Sequence, residues 1–196
     1  FIHPIAKAKK APLFQVTGQF DSTEEENCAI AKAAFSHLQI DPRHYEKALS
    51  HLPPCRFEII YRDGKPIVLD VAHNPDGIEK LLKRLVDTFS TSSFTFIYGA
   101  SKDKDFATCL TLLSKCAKRI IAVQGTSPRA ASATLLAEVG HCESASSMQE
   151  ALNMAMQGNE PIVILGTFFI MSEARRCLGI EEVRDPLDLN EALRQI

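Results

Sequence analysis

Apolar and polar positions run along this chain in two rhythms, and the change falls at "PPC", residues 53–55. Before it, "PLFQVTGQF" alternates like the end of a strand, with Phe14 and Val16 opposed to Gln15 and Thr17. "DSTEEENCAIAKAAFSHLQI" then reads as a helix. Ser22 or Thr23 caps it, acids fill its first turn against the helix dipole, and Ile30, Ala33, Ala34 and Leu38 form an apolar face. "DPRHYEKALSHL" predicts a second helix, with Asp41 at the cap and Pro42 at the first helical position.

From Arg56 onward, strand and helix patterns alternate. "RFEIIYRDGKPIVLDVA" predicts a hairpin turning at Asp63-Gly64. "PDGIEKLLKRLVDTF" predicts an amphipathic helix with Ile78, Leu81, Leu82, Leu85 and Val86 on one side. The strands "SFTFIYGAS", "KRIIAVQGT", "HCESA" and "PIVILGT" follow, separated by the helices "DFATCLTLLSKC", "SATLLAEVG" and "SMQEALNMAMQG" and closed by "FFIMSEARRCLG". Gly140 and Gly158 are expected to end their helices. Continuous apolar strands separated by helices imply a mostly parallel sheet covered on both faces. The expected fold over residues 56 to about 180 is therefore a Rossmann-like α/β domain, with one antiparallel strand from the hairpin. The tail "EEVRDPLDLNEALRQI" suggests a short terminal helix and nothing more.

Composition narrows the functions. The 196 residues are 45% hydrophobic and 23% charged, as in a globular protein able to bury a core without staples. A net charge of −2, absent Trp and 7% aromatic content give no basic field or stacking platform, so no nucleic acid is expected. No apolar run reaches the roughly 20 residues that span a bilayer, so no membrane is expected either. Cys28, Cys55, Cys109, Cys116, Cys142 and Cys177 form no C-x-x-C pair, which predicts reduced thiols in a cytoplasmic protein and no metal site of their own. The opening "FIHPIAKAKKAPLF" has no Met and no signal-peptide core, and is read as the cut edge of a longer protein.

Polar residues collect at the predicted carboxyl ends of the strands, where ligands bind in such sheets. Asp70, His73 and Asn74 follow one strand, Gly99 to Asp105 another, Gln124 to Arg129 a third and Gly166-Thr167 a fourth. Each also has a bland reading. Asp70 is either a cap for the next helix or an acceptor for vicinal ribose hydroxyls. His73 is either structural or catalytic. Lys102, Lys104 and Arg129 are either solvated cations or grips for an anion. Neither G-x-G-x-x-G nor G-x-x-x-x-G-K-[ST] occurs, so the chain carries no phosphate cradle of that kind.

"LDVAHNPDG" resembles the "LDGAHNP" signature of folylpolyglutamate and dihydrofolate synthases, members of the Mur ligase superfamily. "ENCAIAKAAF", "PPCRFEII" and "GASKDKD" resemble the family's "NAxxAxxAL", "PGRFE" and "G…DKD" stretches in the same order. "TSPRA" and "ILGTFFIMSEAR" resemble its later "PRA" and "GSLYLVGEVR" segments. The family joins an ATPase domain, which holds the P-loop and the magnesium ligands, to a Rossmann-like domain. The resemblance implies that residues 1–53 are the end of the ATPase domain plus hinge, and 54–196 the glutamate ligase domain.

It also implies roles. Asn27 would contact the nucleotide base, Arg56 the ATP from the hinge, and Asp70 the ribose, while His73 would stand near the reacting centre. Lys102, Lys104 and Arg129 would be candidates for the glutamate carboxylates. The implied reaction uses ATP and Mg2+ to convert a folate or dihydropteroate carboxylate to an acyl phosphate, which L-glutamate attacks. A monomer is expected, and the fragment alone is expected to be inactive. Two departures stand out. Val71 and Cys55 replace family glycines, and Val71 demands ordinary extended backbone, because a β-branched residue does not take positive φ cheaply. The alternatives are a Mur ligase of peptidoglycan synthesis and a non-catalytic Rossmann-like binding module.

Overall fold

The computed structural model describes residues 2–20, 23–49 and 53–180. The chain divides into two compact units, Phe1–Pro54 and Cys55–Ile196. The terminal helix suggested for the tail lies outside the described residues.

The first unit holds three helices, α1 (Ile2–Ala8), α2 (Thr23–His37) and α3 (Pro42–Leu49). Asp41 caps α3 as its sequence predicts, accepting from the Arg43 amide at 2.9 Å. Phe35 stacks on Tyr45 with ring centroids 4.5 Å apart, tying α2 to α3. The strand expected across "PLFQVTGQF" does not form, and residues 11–20 are neither strand nor helix. An alternating segment becomes a strand only when a neighbour completes its ladder, and the described part of this unit contains no strand. Phe14 instead lies 60% exposed with its ring 3.9 Å from that of His37.

In the second unit the hairpin forms from β1 (Glu58–Arg62) and β2 (Lys65–Asp70). Asp63 at φ 52° and Gly64 at φ 75° make the two-residue turn whose twist suits a hairpin. Arg62 pairs with Lys65 across that turn. Alternation then puts Pro66, opposite Tyr61, at a position without a β1 hydrogen bond, so its missing N–H removes nothing from that pairing. The remaining elements are α4 (Pro75–Phe89), β3 (Phe94–Tyr98), α5 (Phe106–Ser114), β4 (Ala117–Ala122), α6 (Ala133–Gly140), β5 (Glu143–Ser144), α7 (Met148–Met156), β6 (Ile162–Leu165) and α8 (Phe168–Cys177).

The sheet runs β1-β2-β6-β3-β4-β5, with β1 antiparallel and the others parallel. Successive side chains of β2 go to opposite faces. Val68 joins Phe94, Phe96, Tyr98 and the apolar faces of α4, α5 and α6. Ile67 and Leu69 join Ile97, Ile121, Ile164 and the faces of α7 and α8. The doubly covered sheet expected from the apolar strands is therefore what folds.

Two cations finish α7: Lys65 donates to the Met156 and Gly158 carbonyls, and Arg119 to that of Met154 at 2.7 Å. The glycines expected to close helices do not do so by left-handed geometry. Gly140 is the last residue of α6, and His141 takes the left-handed position after it, at φ 47°. After α7, Gln157 is right-handed. All six cysteines are free thiols, as expected.

Candidate functional site

The topology locates a crevice before any side chain is considered. Strand β6 lies between β2 and β3, yet the helices that follow these strands leave on opposite faces, α8 on one and α4 and α5 on the other. Such a reversal opens a cleft at the carboxyl ends of the strands, where α/β sheets bind ligands. Asp70 pairs with Leu165, and Leu165 with Tyr98, so the three strands end level. Gly166 turns the chain out of β6 at φ 116°, and a Cβ there would lie 2.2 Å from the Gly99 carbonyl oxygen. Only glycine fits so close an approach with that backbone.

Asp70 is the hub of this edge. It is a buried carboxylate, with Oδ1 accepting from the Ala72 amide at 2.7 Å and Oδ2 from the Phe57 amide at 2.9 Å. It therefore joins the start of β1 to the loop that leads into α4. It does not cap α4, because Asn74 does, accepting from the Gly77 amide at 2.8 Å ahead of Pro75. Val71 is absent from the positive-φ residues, as its β-branched side chain requires.

His73 is half-buried, with Nδ1 3.0 Å from the Val71 carbonyl oxygen. A carbonyl only accepts, so Nδ1 carries a proton toward it and fixes the ring with Nε2 on the far side. Arg56 sits between two residues in left-handed backbone, Cys55 at φ 61° and Phe57 at φ 51°. Such conformations cost non-glycine residues about 1–3 kcal/mol each and persist where the surroundings over-determine them. A glycine would take the φ of Cys55 without that cost. The Arg56 guanidinium lies 5.8 Å from the Phe168 ring centroid, at the start of α8. Among the described residues no carboxylate pairs with it. Half-buried and without a counter-ion, it suits a phosphate.

The other candidates fall in two places. Lys102 and Arg129 are brought together by an antiparallel bridge between Ser101 and Ala130 and by the bond from the Lys102 amide to the Arg129 carbonyl, 2.9 Å. Both side chains already have partners: Lys102 donates to the Pro128 carbonyl at 3.2 Å, and Arg129 to Asp103 at 3.1 Å. Asp103 is held below the usual carboxylate range, first by its own backbone amide and then by Arg129 and Lys104. Lys104 is exposed in the same loop. Asn27 lies exposed on α2, in the first unit.

Sequence reasoning missed two features of this edge, the Phe168 platform and the Glu58–Arg175 pair, and named Thr167 only as a strand-exit residue. Thr167 caps α8 and is buried, accepting from the Phe169 amide at 3.4 Å. Phe168 carries Arg56. Glu58 accepts from the Cys55 amide at 2.9 Å and pairs with Arg175 at 2.6 Å. Glu58 and Arg175 stand in two of the quoted motifs, but no spacing rule joins residues 117 apart. Among the described residues no group of three or more His, Cys, Asp or Glu could hold a metal ion. No helix among them is long and apolar enough to cross a membrane.

The fold and this edge define a doubly wound α/β domain with polar side chains gathered at its topological switch point. Comparison with known proteins places it further. Residues 55–167 match the model of the Mur ligase glutamate ligase domain, and the chain belongs to that family. It is 36% identical over 135 residues to folylpolyglutamate synthase of Lacticaseibacillus casei, a match covering 67% of this chain and 31% of that protein. A bifunctional folylpolyglutamate synthase/dihydrofolate synthase from Yersinia pestis, solved with AMPPNP and Mn ion, superposes with a TM-score of 0.63 at 27% identity, covering 77% of this chain and 38% of that one. An Escherichia coli FolC structure with ADP and without folate substrate gives a TM-score of 0.71 over 91% of this chain and 50% of that one; at 22% identity it speaks for the fold alone. The chain spans about a third of the length of the curated relatives it matches.

Proposed function

We propose that this chain is the carboxyl-terminal portion of an ATP-dependent ligase of the folylpolyglutamate/dihydrofolate synthase type, adding L-glutamate to a folate or dihydropteroate carboxylate. In this reading residues 1–53 end the ATPase domain and residues 54–196 form the glutamate ligase domain. Bound ATP supplies the phosphoryl group that activates the carboxylate as an acyl phosphate. In this reading magnesium is held by the ATPase domain upstream.

The observation that carries the reading is the Asp70 carboxylate bridging the Arg56-bearing segment and the His73-bearing loop at the switch point. Arg56 supplies a fixed positive charge for phosphate, Asp70 an acceptor for ribose hydroxyls, and His73 a ring Nε2 for orienting a reactant. Lys102, Lys104 and Arg129 rank lower as glutamate ligands, because two of the three are already engaged. The work of such a site is positioning and charge neutralisation.

The test is made on the complete gene product. Its upstream region should encode a P-loop, and the purified protein should add glutamate to folate or dihydropteroate with ATP consumption. Arg56→Ala or Asp70→Ala should lower that turnover at least about tenfold, the scale of one lost charged contact. The 196-residue chain alone should show no turnover. An upstream region without a P-loop, or a complete protein that ligates peptidoglycan precursors and ignores folates, overturns the reading.

A further inference from the structure

The segment bearing Arg56 is built in a way that its fold alone does not require. Cys55 and Phe57, the residues on either side, take left-handed backbone at φ 61° and 51°. They are anchored on opposite faces of the sheet. Cys55 is buried among Ile67, Leu69 and the α7 and α8 side chains. Phe57 is buried among Val68 and the α4 side chains, with the Arg84 guanidinium 4.0 Å from its ring centroid. Each left-handed residue has its amide held by a carboxylate, Cys55 by Glu58 at 2.9 Å and Phe57 by Asp70 at 2.9 Å. Glu58 is itself gripped by Arg175, whose side chain is only 12% exposed. Strain that is tied down at every point marks a place where direction matters.

We propose that Glu58, Arg175 and Asp70 are positioning residues for Arg56: they lock the strained Cys55–Phe57 segment so that the Arg56 guanidinium is held over Phe168 at the mouth of the cleft. Because Arg175 and Phe168 both lie on α8, the same helix supplies the clamp and the platform. The guanidinium is thereby ordered before any anion arrives, which reduces the side-chain entropy lost on binding. The functional side of this inference rests on the reading that Arg56 meets phosphate.

Side-chain nitrogen NMR of the full 196-residue chain tests it. In the unsubstituted protein the Arg56 Nε–Hε signal should be displaced by the Phe168 ring current and should relax like the rigid backbone, unlike that of Arg176. Glu58→Gln should lose both properties, and Arg175→Lys, which keeps the ion pair, should retain them. Phe168→Leu should lose the displacement and keep the order. Leu136→Ala, which lowers stability elsewhere in the core, should leave the signal in place and so separates positioning from general loosening. An Arg56 signal as mobile as that of Arg176 in the unsubstituted chain overturns the proposal without any variant. So does an Arg56 signal unmoved by Glu58→Gln. Titration with inorganic tripolyphosphate addresses the other half: the Arg56 signal should shift, and less so in Glu58→Gln. An Arg56 that is ordered and clamp-dependent yet silent to tripolyphosphate overturns the phosphate reading and leaves the clamp standing.

Discussion

The two units of this chain use similar helical signals and reach opposite outcomes. Among the described residues of the first unit none is buried, and Ile2, Ile5, Phe14, Ile30 and Leu38 stand between 49% and 68% exposed. In the second unit the apolar faces of α4, α5 and α7 are buried to a few per cent exposure against the sheet. The capping chemistry is good in both: Asp41 caps α3 as Asn74 caps α4. Capping and propensity start a helix, but burial of its apolar face is what stabilises it.

Truncating an apolar residue on each side is the largest way to break this comparison. Leu85 on α4 is fully buried, and Leu85→Ala should cost about 2–5 kcal/mol, the transfer term plus a cavity. Leu38 is 65% exposed, and Leu38→Ala should cost less than about 0.5 kcal/mol. Urea unfolding followed by circular dichroism measures both. Comparable losses would mean that the first unit hides a core of its own.

How much could be read beforehand follows the same division. The second unit's strands, hairpin turn and helix order were legible because the central strands β2, β3 and β6 carry apolar runs and each helix has a local start signal such as Asn74-Pro75 or Ser147. The strand misread at "PLFQVTGQF" failed because alternation reports a face and says nothing of a partner strand. Gly140 misled because a glycine at a helix end is only a common choice for the left-handed position, and His141 takes it here. At the cleft, Asp70 and His73 were legible from their place after an apolar run, and Arg56 from its motif. The Glu58–Arg175 clamp was not, because it depends on β1 and α8 meeting across a sheet whose order no local pattern specifies. Nor was the engagement of Arg129 by Asp103, which depends on two loops closing on each other.

Acid sharpens the contrast at a smaller scale. In the second unit Glu143 on β5 pairs with Arg119 on β4, and that hydrogen bond, with the charge of Arg119, holds the Glu143 carboxyl below the ordinary glutamate range. A depressed folded-state value means the pair's contribution is present above the unfolded-state pKa and is lost as pH falls through the folded one. Glu143 is 48% exposed on its side chain, so solvent screening limits the effect to about 0.3–1 kcal/mol. Glu143→Gln should therefore flatten part of the decline in stability between neutral and acid pH. In the first unit Asp41 is also depressed, by Arg43, but that pair is formed between neighbours on an exposed turn. Asp41→Asn should leave the acid profile of unfolding unchanged. Urea titrations at stepped pH give both profiles, and equal flattening by the two variants would contradict the contrast.

The finest test compares two tyrosines. Tyr98 on β3 is fully buried, and its hydroxyl makes no well-formed hydrogen bond among the described residues, with only the weakly accepting Cys109 thiol interacting beside it. Burial first, then the neighbouring Cys109 and Asp105, pushes its pKa far up, so the phenol stays neutral. Leaving such a donor unsatisfied carries a desolvation penalty, and Tyr98→Phe removes the penalty while keeping the ring that packs beneath Gly166. The variant should be as stable as the parent or more stable by up to about 1 kcal/mol, against the usual direction of core substitutions. Tyr45 in the first unit is half-buried and stacked on Phe35, a contact made by the ring, so Tyr45→Phe should sit within about 0.5 kcal/mol of the parent. A loss of more than about 1 kcal/mol in Tyr98→Phe would show that the hydroxyl is satisfied by an ordered water at the floor of the cleft. The polar character of this edge would then reach one layer deeper into the sheet than its side-chain bonds indicate.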